Sequence, residues 1–255
     1  MKKEKKLKIL ITNDDGYFSA GIKALVKELS KKHTVKVVAP DREQSASSHS
    51  LTLNHPLRMT EIEKNWYTTD GTPTDCVMLA IHLLYKGKKP DMIVSGINHG
   101  ANMGDDVTYS GTIAAAIEGS ILQIPSIAVS MANYRPGLPM ERAAKFVSKV
   151  VSAHESFNLT SDTFLNINFP EDNKKAYKNY CFTKLGFRHY KDVVISKTDP
   201  RGKSYFWIGG RPKWKMTKGS DFEAVHSGKI SITPLTLKFT DSEKLSELLE
   251  KKIKI

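Results

Sequence analysis

Through the first two thirds of the chain, short apolar runs alternate with longer stretches whose apolar residues recur at helical spacing. Lys8–Thr12 holds a short apolar run rich in β-branched residues, the pattern of a buried parallel strand. Ser19–Lys31 sets Ile22, Leu25, Val26 and Leu29 on one helical face, with Ser19 as its N-cap. Val35–Ala39 reads as a second strand closed by Pro40, and Leu51–Leu57 and Trp66–Thr69 as short extended pieces. Pro73–Tyr85 reads as a helix with proline in its first turn and Val77, Ile81 and Leu84 aligned. Met92–Ser95 (strand), Thr112–Leu122 (small-residue helix), Ile127–Met131 (strand), Pro139–His154 (helix) and Phe164–Asn168 (strand) continue the alternation.

Strands that alternate with helices imply right-handed βαβ units, hence an α/β fold with a doubly wound, mostly parallel sheet. After about residue 185 the pattern changes. Basic, aromatic and glycine residues mix, as in Tyr205-Phe206-Trp207-Ile208-Gly209-Gly210, which predicts extended hairpins, followed by a strand at Lys229–Pro234 and a helix at Ser242–Ile253. The expected organisation is a core over residues 7–185 and an appendage over 186–255. The appendage has too few regularly spaced apolar residues for its own core, yet it carries Trp207, Ile208, Trp214, Ile230, Ile232 and Leu245. A second copy of the chain is the simplest cover for such surface, so a homo-oligomer is expected.

Composition narrows the setting. No apolar run approaches the length of about 18 residues that a membrane span needs, and Met1–Lys6 lacks the apolar segment of a signal peptide. Cys76 and Cys181 are far apart without metal spacing and read as inert core thiols in a reducing, cytoplasmic compartment. The net charge of +12 is concentrated: residues 174–218 hold 13 Lys/Arg against Asp192 and Asp199, an excess of 11. Such a segment is a solvated surface, a nucleic-acid contact, or an attractor of small anions. Aromatics there, among them Tyr177, Tyr180, Phe182, Tyr190 and Phe206, could stack on bases. No RNA-binding motif accompanies them, and that reading leaves the chemistry elsewhere unexplained.

The chemistry lies in four loops. Asn13-Asp14-Asp15-Gly16 ends the first strand. It is either an ordinary Asp-Gly turn with a helix cap, or two repelling carboxylates that a cation would relieve, at the end of the sheet where ligands bind. The loop from Pro40 to Ser50 is crowded with hydroxyls fit for a phosphate, a hard metal or plain solvent. Ser95–Asp106 combines Gly96, Gly100 and Gly104 with Asn98 and Asn102, allowing backbone to approach a ligand and offering neutral oxygen donors. Tyr109-Ser110-Gly111-Thr112 opens a helix, where a cap and an anion site coincide. His49 and His99 lie in these loops, whereas His33, His82 and His154 read as structural. Carboxylate, hydroxyl and amide oxygens suit Mg²⁺ or Mn²⁺ and not zinc. The P-loop, the dinucleotide glycine fingerprint after the first strand, the nucleophile elbow and an Asp-x-Asp pair are all missing.

Ile11–Gly16, Val38–Arg42 with Ser45, Gly71–Val77, Ser95–Asn98 with Asn102-Met103-Gly104, Tyr109–Thr112, Asp199–Gly202 and Ser231–Leu235 resemble, in order, the motifs of the SurE survival-protein nucleotidases. The resemblance runs from about residue 8 to 237. It implies a Rossmann-like core with a C-terminal hairpin arm and helix used in dimer or tetramer assembly. It also implies a metal-dependent phosphatase of nucleoside 5′- and 3′-monophosphates, and in some members short polyphosphate. The family's metal ligands fall on Asp14, Asp15, Ser45 and Asn98, for one divalent cation per subunit, and its phosphate-facing loop on Ser110, Gly111 and Thr112; Asn13 and Asn102, in the neighbouring loops, are expected to bind the substrate as well. Gln44 stands where a basic residue is common, and Lys218–Asp221 departs from the usual Gly-Thr-Asp; both bear on substrate preference, not on the four ligand positions. No membrane and no specific nucleic-acid partner are expected.

Overall fold

A computed structural model describes residues 5–132, 140–171, 179–190, 194–209 and 212–251. Its elements in chain order begin with β1 (Lys8–Thr12), α1 (Ala20–Leu29), β2 (Thr34–Pro40), β3 (Met59–Glu63), β4 (Trp66–Thr69) and α2 (Pro73–Leu79). Next come β5 (Met92–His99), α3 (Gly111–Ile121), β6 (Ser126–Met131), α4 (Glu141–Ser152), β7 (Thr163–Phe169) and β8 (Tyr180–Phe182). β9 (Phe187–Tyr190), β10 (Val194–Thr198), β11 (Ser204–Ile208), β12 (Pro212–Lys215), α5 (Asp221–His226), β13 (Ile230–Thr236) and α6 (Ser242–Lys251) complete the chain.

Nine strands form one sheet in the order β3-β4-β2-β1-β5-β6-β7-β13-β8. It is parallel except where β3 meets β4 and β13 meets β7. β1 lies inside, paired with β2 through Ile9↔Val35 and with β5 through Ile9↔Met92. The chain winds from β1 toward β2 and then returns to the other side at β5, which opens a crevice at the carboxyl ends of these three strands. Side chains alternate across the sheet. Ile9 and Ile11 join Ile22 and Leu25 of α1 and Val147 of α4 in one core. Leu10 and Ile93 face Val77 of α2 and Ala115 of α3 in the other. Each fully buried aliphatic side chain contributes about 1.5–3 kcal/mol. Ser19 caps α1, accepting from Ile22 N, as its position predicts.

Several expectations are corrected. Leu51–Leu57 forms no strand; Leu53 is 87% exposed, and the segment is held by Thr52, which donates its N–H and hydroxyl to Asp75 (3.1 and 2.6 Å). Its leucine alternation has no partner strand. The strand beside β4 is instead β3, whose Thr60, Glu61 and Glu63 give a polar edge with little pattern to read. The helix over Pro73–Tyr85 is α-helical only to Leu79, then widens into a π-turn over Ala80–Leu84, where Tyr85 N reaches Ala80 O (3.1 Å). Lys36 Nζ from β2 binds the Leu84 carbonyl (3.0 Å) at that turn. β5 runs on past Ser95 to His99. Cys76 is buried, and burial raises its thiol pKa strongly; Cys181 is only half-buried on edge strand β8, so it is not a core thiol. β8 and α5 had no sequence signal. Pro139, Tyr177 and Ile253 lie outside the described residues, as does part of the basic 174–218 segment.

The segment beyond residue 185 divides in two. β10 and β11 form an exposed two-stranded hairpin. β9 and β12 pair with each other, and β13 returns to the main sheet between β7 and β8.

Candidate active site

Asp14 sits at the carboxyl end of β1 and is 5% exposed. α3 arrives head-on: Thr112 donates its hydroxyl to Asp14 Oδ1 (2.5 Å) and its backbone N–H to Oδ2 (3.0 Å). The approach is close enough to require glycine at the first helical position. A Cβ on Gly111 would stand 2.7 Å from Ser47 Oγ and 2.9 Å from the Asp14 Cβ. Thr112 therefore grips the carboxylate, where the resemblance implied that it faces the phosphate. Ser110 caps α3 by accepting from Ile113 N (3.1 Å), which leaves its own O–H to donate.

Asp15 is less enclosed. Its Oδ2 accepts from His99 N (3.2 Å), with His99 Nδ1 3.6 Å away. Burial first, and then the charge of Asp15, pushes the Asp14 pKa up to about 6. Burial and then the charge of Glu43 do the same for Asp15, also to about 6. Burial lowers the pKa of His99, partly opposed by the charges of Asp14 and Glu43. Two adjacent carboxylates are thus held where their ionised forms are costly.

The second loop reaches the first through Gln44 N, which donates to the Asp14 carbonyl (2.7 Å). It is fastened to α3 by His49 Nε2, 2.9 Å from Glu118 Oε2, and to the turn before α3 by Ser48 Oγ, which donates to Thr108 O (2.7 Å). Ser45 is exposed there, its hydroxyl donated to Glu43 Oε1 (2.5 Å). At the end of β5, Asn98 donates its amide N–H to Gly100 O (3.0 Å), so Oδ1 remains as its acceptor.

A cleft of about 570 Å³ opens above these loops. Asp14, Ser45, Asn98, Asn102 and Ser110 line it together. Asp15 touches it through His99, and Gly111 and Thr112 lie behind Asp14. Asn13 is turned into its own loop, donating Nδ2 to Gly16 O (2.9 Å) and Ser19 Oγ (2.8 Å). Residues to which the sequence assigned no role in the site complete the lining: Asp106, Tyr109, Ile208 and Gly209 among them. Asp106 and Tyr109 belong to loops that the sequence marked. Ile208 and Gly209 come from the far end of the chain, and only the folded hairpin brings them there.

The walls are braced by buried polar groups. Asn102 donates N to Asn168 Oδ1 (2.9 Å) and Nδ2 to Ser130 Oγ (2.8 Å), and its carbonyl accepts from Asn166 and Asn168. Two asparagines two apart in a buried strand, Phe164–Asn168, are the sequence signal of such a network. Asp221, fully buried, accepts from Gly104 N (2.8 Å), Gly186 N (2.7 Å) and Phe222 N (2.8 Å). It ties the cleft loop to the start of the C-terminal segment. Gly104 (φ +55°) needs its freedom there, because a Cβ would meet the Phe222 ring at 2.8 Å. Arg188 pairs with Asp106 and lies 4.2 Å over the Trp214 ring, which stacks on Phe222 at 3.9 Å.

The donor set fits a hard divalent cation. Asp14, Asp15, Ser45 and Asn98 supply oxygens only, and each carboxylate oxygen on Asp14 keeps a lone pair beyond its bond to Thr112. Among the described residues, Ser47 Oγ and Asn13 Oδ1 are buried beside this pair without a hydrogen-bond partner, and no group of three or more His, Cys, Asp or Glu is placed to hold a metal.

Comparison with known proteins agrees with this arrangement. The family described as "Survival protein SurE" matches residues 9–192. The 5′-nucleotidase SurE of Geotalea uraniireducens (strain Rf4) is 48% identical over 243 residues, covering 95% of this chain and 98% of its own. That of Vibrio vulnificus (strain CMCP6) is 44% identical over 245 residues, covering 96% and 95%. The crystal structure of the SurE protein from Aquifex aeolicus superposes with a TM-score of 0.85 at 41% identity, covering 96% of this chain and all of that one. With a family model over most of the chain, relatives that align along nearly their whole length and a solved structure of matching fold, this chain belongs to the SurE family.

Proposed function

We propose that this protein is a divalent-cation-dependent 5′-nucleotidase, releasing phosphate from nucleoside 5′-monophosphates. The observation that carries the reading is the gathering of Asp14, Ser45 and Asn98 with Ser110, at the N-terminus of α3, around one cleft. The relatives' shared name, 5′-nucleotidase SurE, supports the substrate class. Asp14, Asp15, Ser45 and Asn98 would hold the cation, and it is Mg²⁺ or Mn²⁺ by donor chemistry. Bound there, it supplies Lewis-acid charge against the phosphoryl oxygens. Thr112 keeps the Asp14 carboxylate fixed in orientation. Ser110 donates its O–H to a phosphate oxygen, and the α3 N-terminus stabilises the charge that develops there. Asn102, rigid within its amide network, bounds the substrate. We extend the reading to 3′-monophosphates and short polyphosphate, whose phosphoryl groups would meet the same oxygen donors. Two free cysteines agree with a cytoplasmic setting, and no helix among the described residues is long and apolar enough to cross a membrane.

The test is phosphate release from a panel of nucleotides with and without chelator, joined to a thermal measurement. Asp14 and Asp15 have folded pKa values near 6 against 3.8 for the free side chain. Raised values mean that ionisation weakens the cation-free fold as pH climbs from about 4 through 6. A cation needs those ionised forms. Excess Mn²⁺ is therefore expected to raise the melting temperature by several degrees at pH 7.5, about 2.7 kcal/mol at a hundredfold excess over Kd. The gain fades as pH falls through 6. An equal gain at pH 5, or full phosphate release in excess EDTA, removes the cation from the site.

The segment over residues 186–255 we read as an assembly arm of a homo-oligomer rather than an independent domain. Its β10–β11 hairpin exposes Val194, Phe206 and Trp207, apolar surface that a second copy would cover. Sedimentation of the whole chain is expected to show a dimer or larger. A fully active monomer at micromolar concentration would remove the arm.

A further inference from the structure

Asp14, Ser45, Asn98 and Ser110 make up only part of the cleft lining. A cleft of about 570 Å³ is of the size that encloses a whole small-molecule ligand rather than a phosphate alone. Most of its lining is polar or small. Two large apolar side chains are the exception: Tyr109, 62% exposed, and Ile208, 85% exposed.

Tyr109 is presented, not loose. Its N–H donates to Asp106 O (3.1 Å) and its carbonyl accepts from Ser48 N (3.0 Å), so loops on either side pin its backbone. It directly precedes Ser110, the proposed phosphate donor. A substrate whose phosphate rests at Ser110 therefore has an open aromatic ring within the length of one nucleoside. Leaving such a ring in water forgoes the burial that aromatic side chains ordinarily gain, and a flat π-surface in the substrate would recover it.

We propose that Tyr109 and Ile208 form the nucleobase subsite, with the Tyr109 ring stacking on the base and Ile208 covering its apolar edge. The inference rests on the nucleotidase reading and deepens it by separating base recognition from phosphate chemistry. Because every base offers a π-face, this subsite gives affinity for nucleosides with little discrimination among bases. Ile208 belongs to the hairpin, so base binding also draws β11 toward the cleft.

The test compares adenosine 5′-monophosphate with ribose 5-phosphate, which carries the same ester without a base. Tyr109→Ala is expected to cut the ratio of their kcat/KM values about tenfold, chiefly through KM for the nucleotide. Tyr109→Phe keeps the ratio, since the phenyl face remains. Ile208→Ser lowers it two- to threefold, on an exposed position where folding is not at stake. Both substrates falling by one common factor in Tyr109→Ala overturns the subsite and makes Tyr109 a support for Ser110. A ratio unchanged in both Tyr109→Ala and Ile208→Ser overturns it as well. Wild-type protein that hydrolyses neither substrate overturns the nucleotidase reading first, and the subsite with it.

Discussion

Asp14→Asn is expected to lower phosphate release from a nucleoside monophosphate by about a thousandfold, ~4 kcal/mol on the barrier, while the protein melts at the same temperature or higher. Asp14 carries half of the anionic charge of the proposed ligand set, and it alone of the pair is nearly enclosed. The fold tolerates the amide. Its oxygen can take the Thr112 N–H, and its NH₂ can donate to the Thr112 hydroxyl, which accepts as readily as it donates. Burial and the charge of Asp15 make ionised Asp14 unfavourable near neutrality, so removing the charge relieves the cation-free fold. Thr112→Ala should move activity the same way with a smaller loss. It strips the hydroxyl that favours ionised Asp14 and so weakens cation affinity as well as turnover. Near-native turnover in Asp14→Asn at unchanged cation affinity would dismiss Asp14 as a ligand.

Asp221→Ala is expected to cost about 3–5 kcal/mol of folding stability, each buried N–H left without a partner costing ~1–3 kcal/mol. Three lose their acceptor at once: those of Gly104, Gly186 and Phe222. In a chain this long the melting temperature should fall by roughly 10 °C. Asp221→Asn separates structure from function. One amide oxygen can still serve Gly186 and Phe222, which both bind Oδ1, but an NH₂ then faces the Gly104 N–H. Its stability loss should be milder and its damage concentrated on the loop that carries Asp106 and leads to Tyr109, seen as a raised KM. Chemical denaturation with steady-state kinetics on both variants decides this; a melting temperature unchanged in Asp221→Ala would refute the clamp.

What the residue pattern revealed depended on how many faces of an element are buried. β1, β6 and β7 are buried on both faces, and their apolar residues mark them plainly even with Asn166 and Asn168 set into β7. α1 and α4 each bury one stripe. β3 lies at the sheet edge with glutamates along it, so its pattern was faint, while the leucines of Leu51–Leu57 imitated a strand that has nothing to pair with. In the candidate site, the loops of short sequence span were visible because glycine, asparagine and serine crowd together after a strand. The identity of each contact was not. Nothing in Ser110-Gly111-Thr112 says that the threonine turns inward to Asp14 instead of outward. The Asp221 clamp and the approach of Ile208 join residues remote in sequence, and no local pattern encodes such closures.

The clamp also orders events during synthesis. Gly104 and Asp221 are 117 residues apart. At about 5–20 residues per second, roughly 6–23 s pass between the emergence of one and of the other. Through that interval β1, β2, β5 and α3 can assemble and bring Asp14 to Thr112, yet the Gly104 loop lacks its anchor, and its amide is left to water. A nascent or truncated chain would thus carry its charged residues in place around an unfinished wall. Completion of the cleft waits until translation has passed Asp221, so competence to enclose a substrate arrives only after the C-terminal segment has begun to fold.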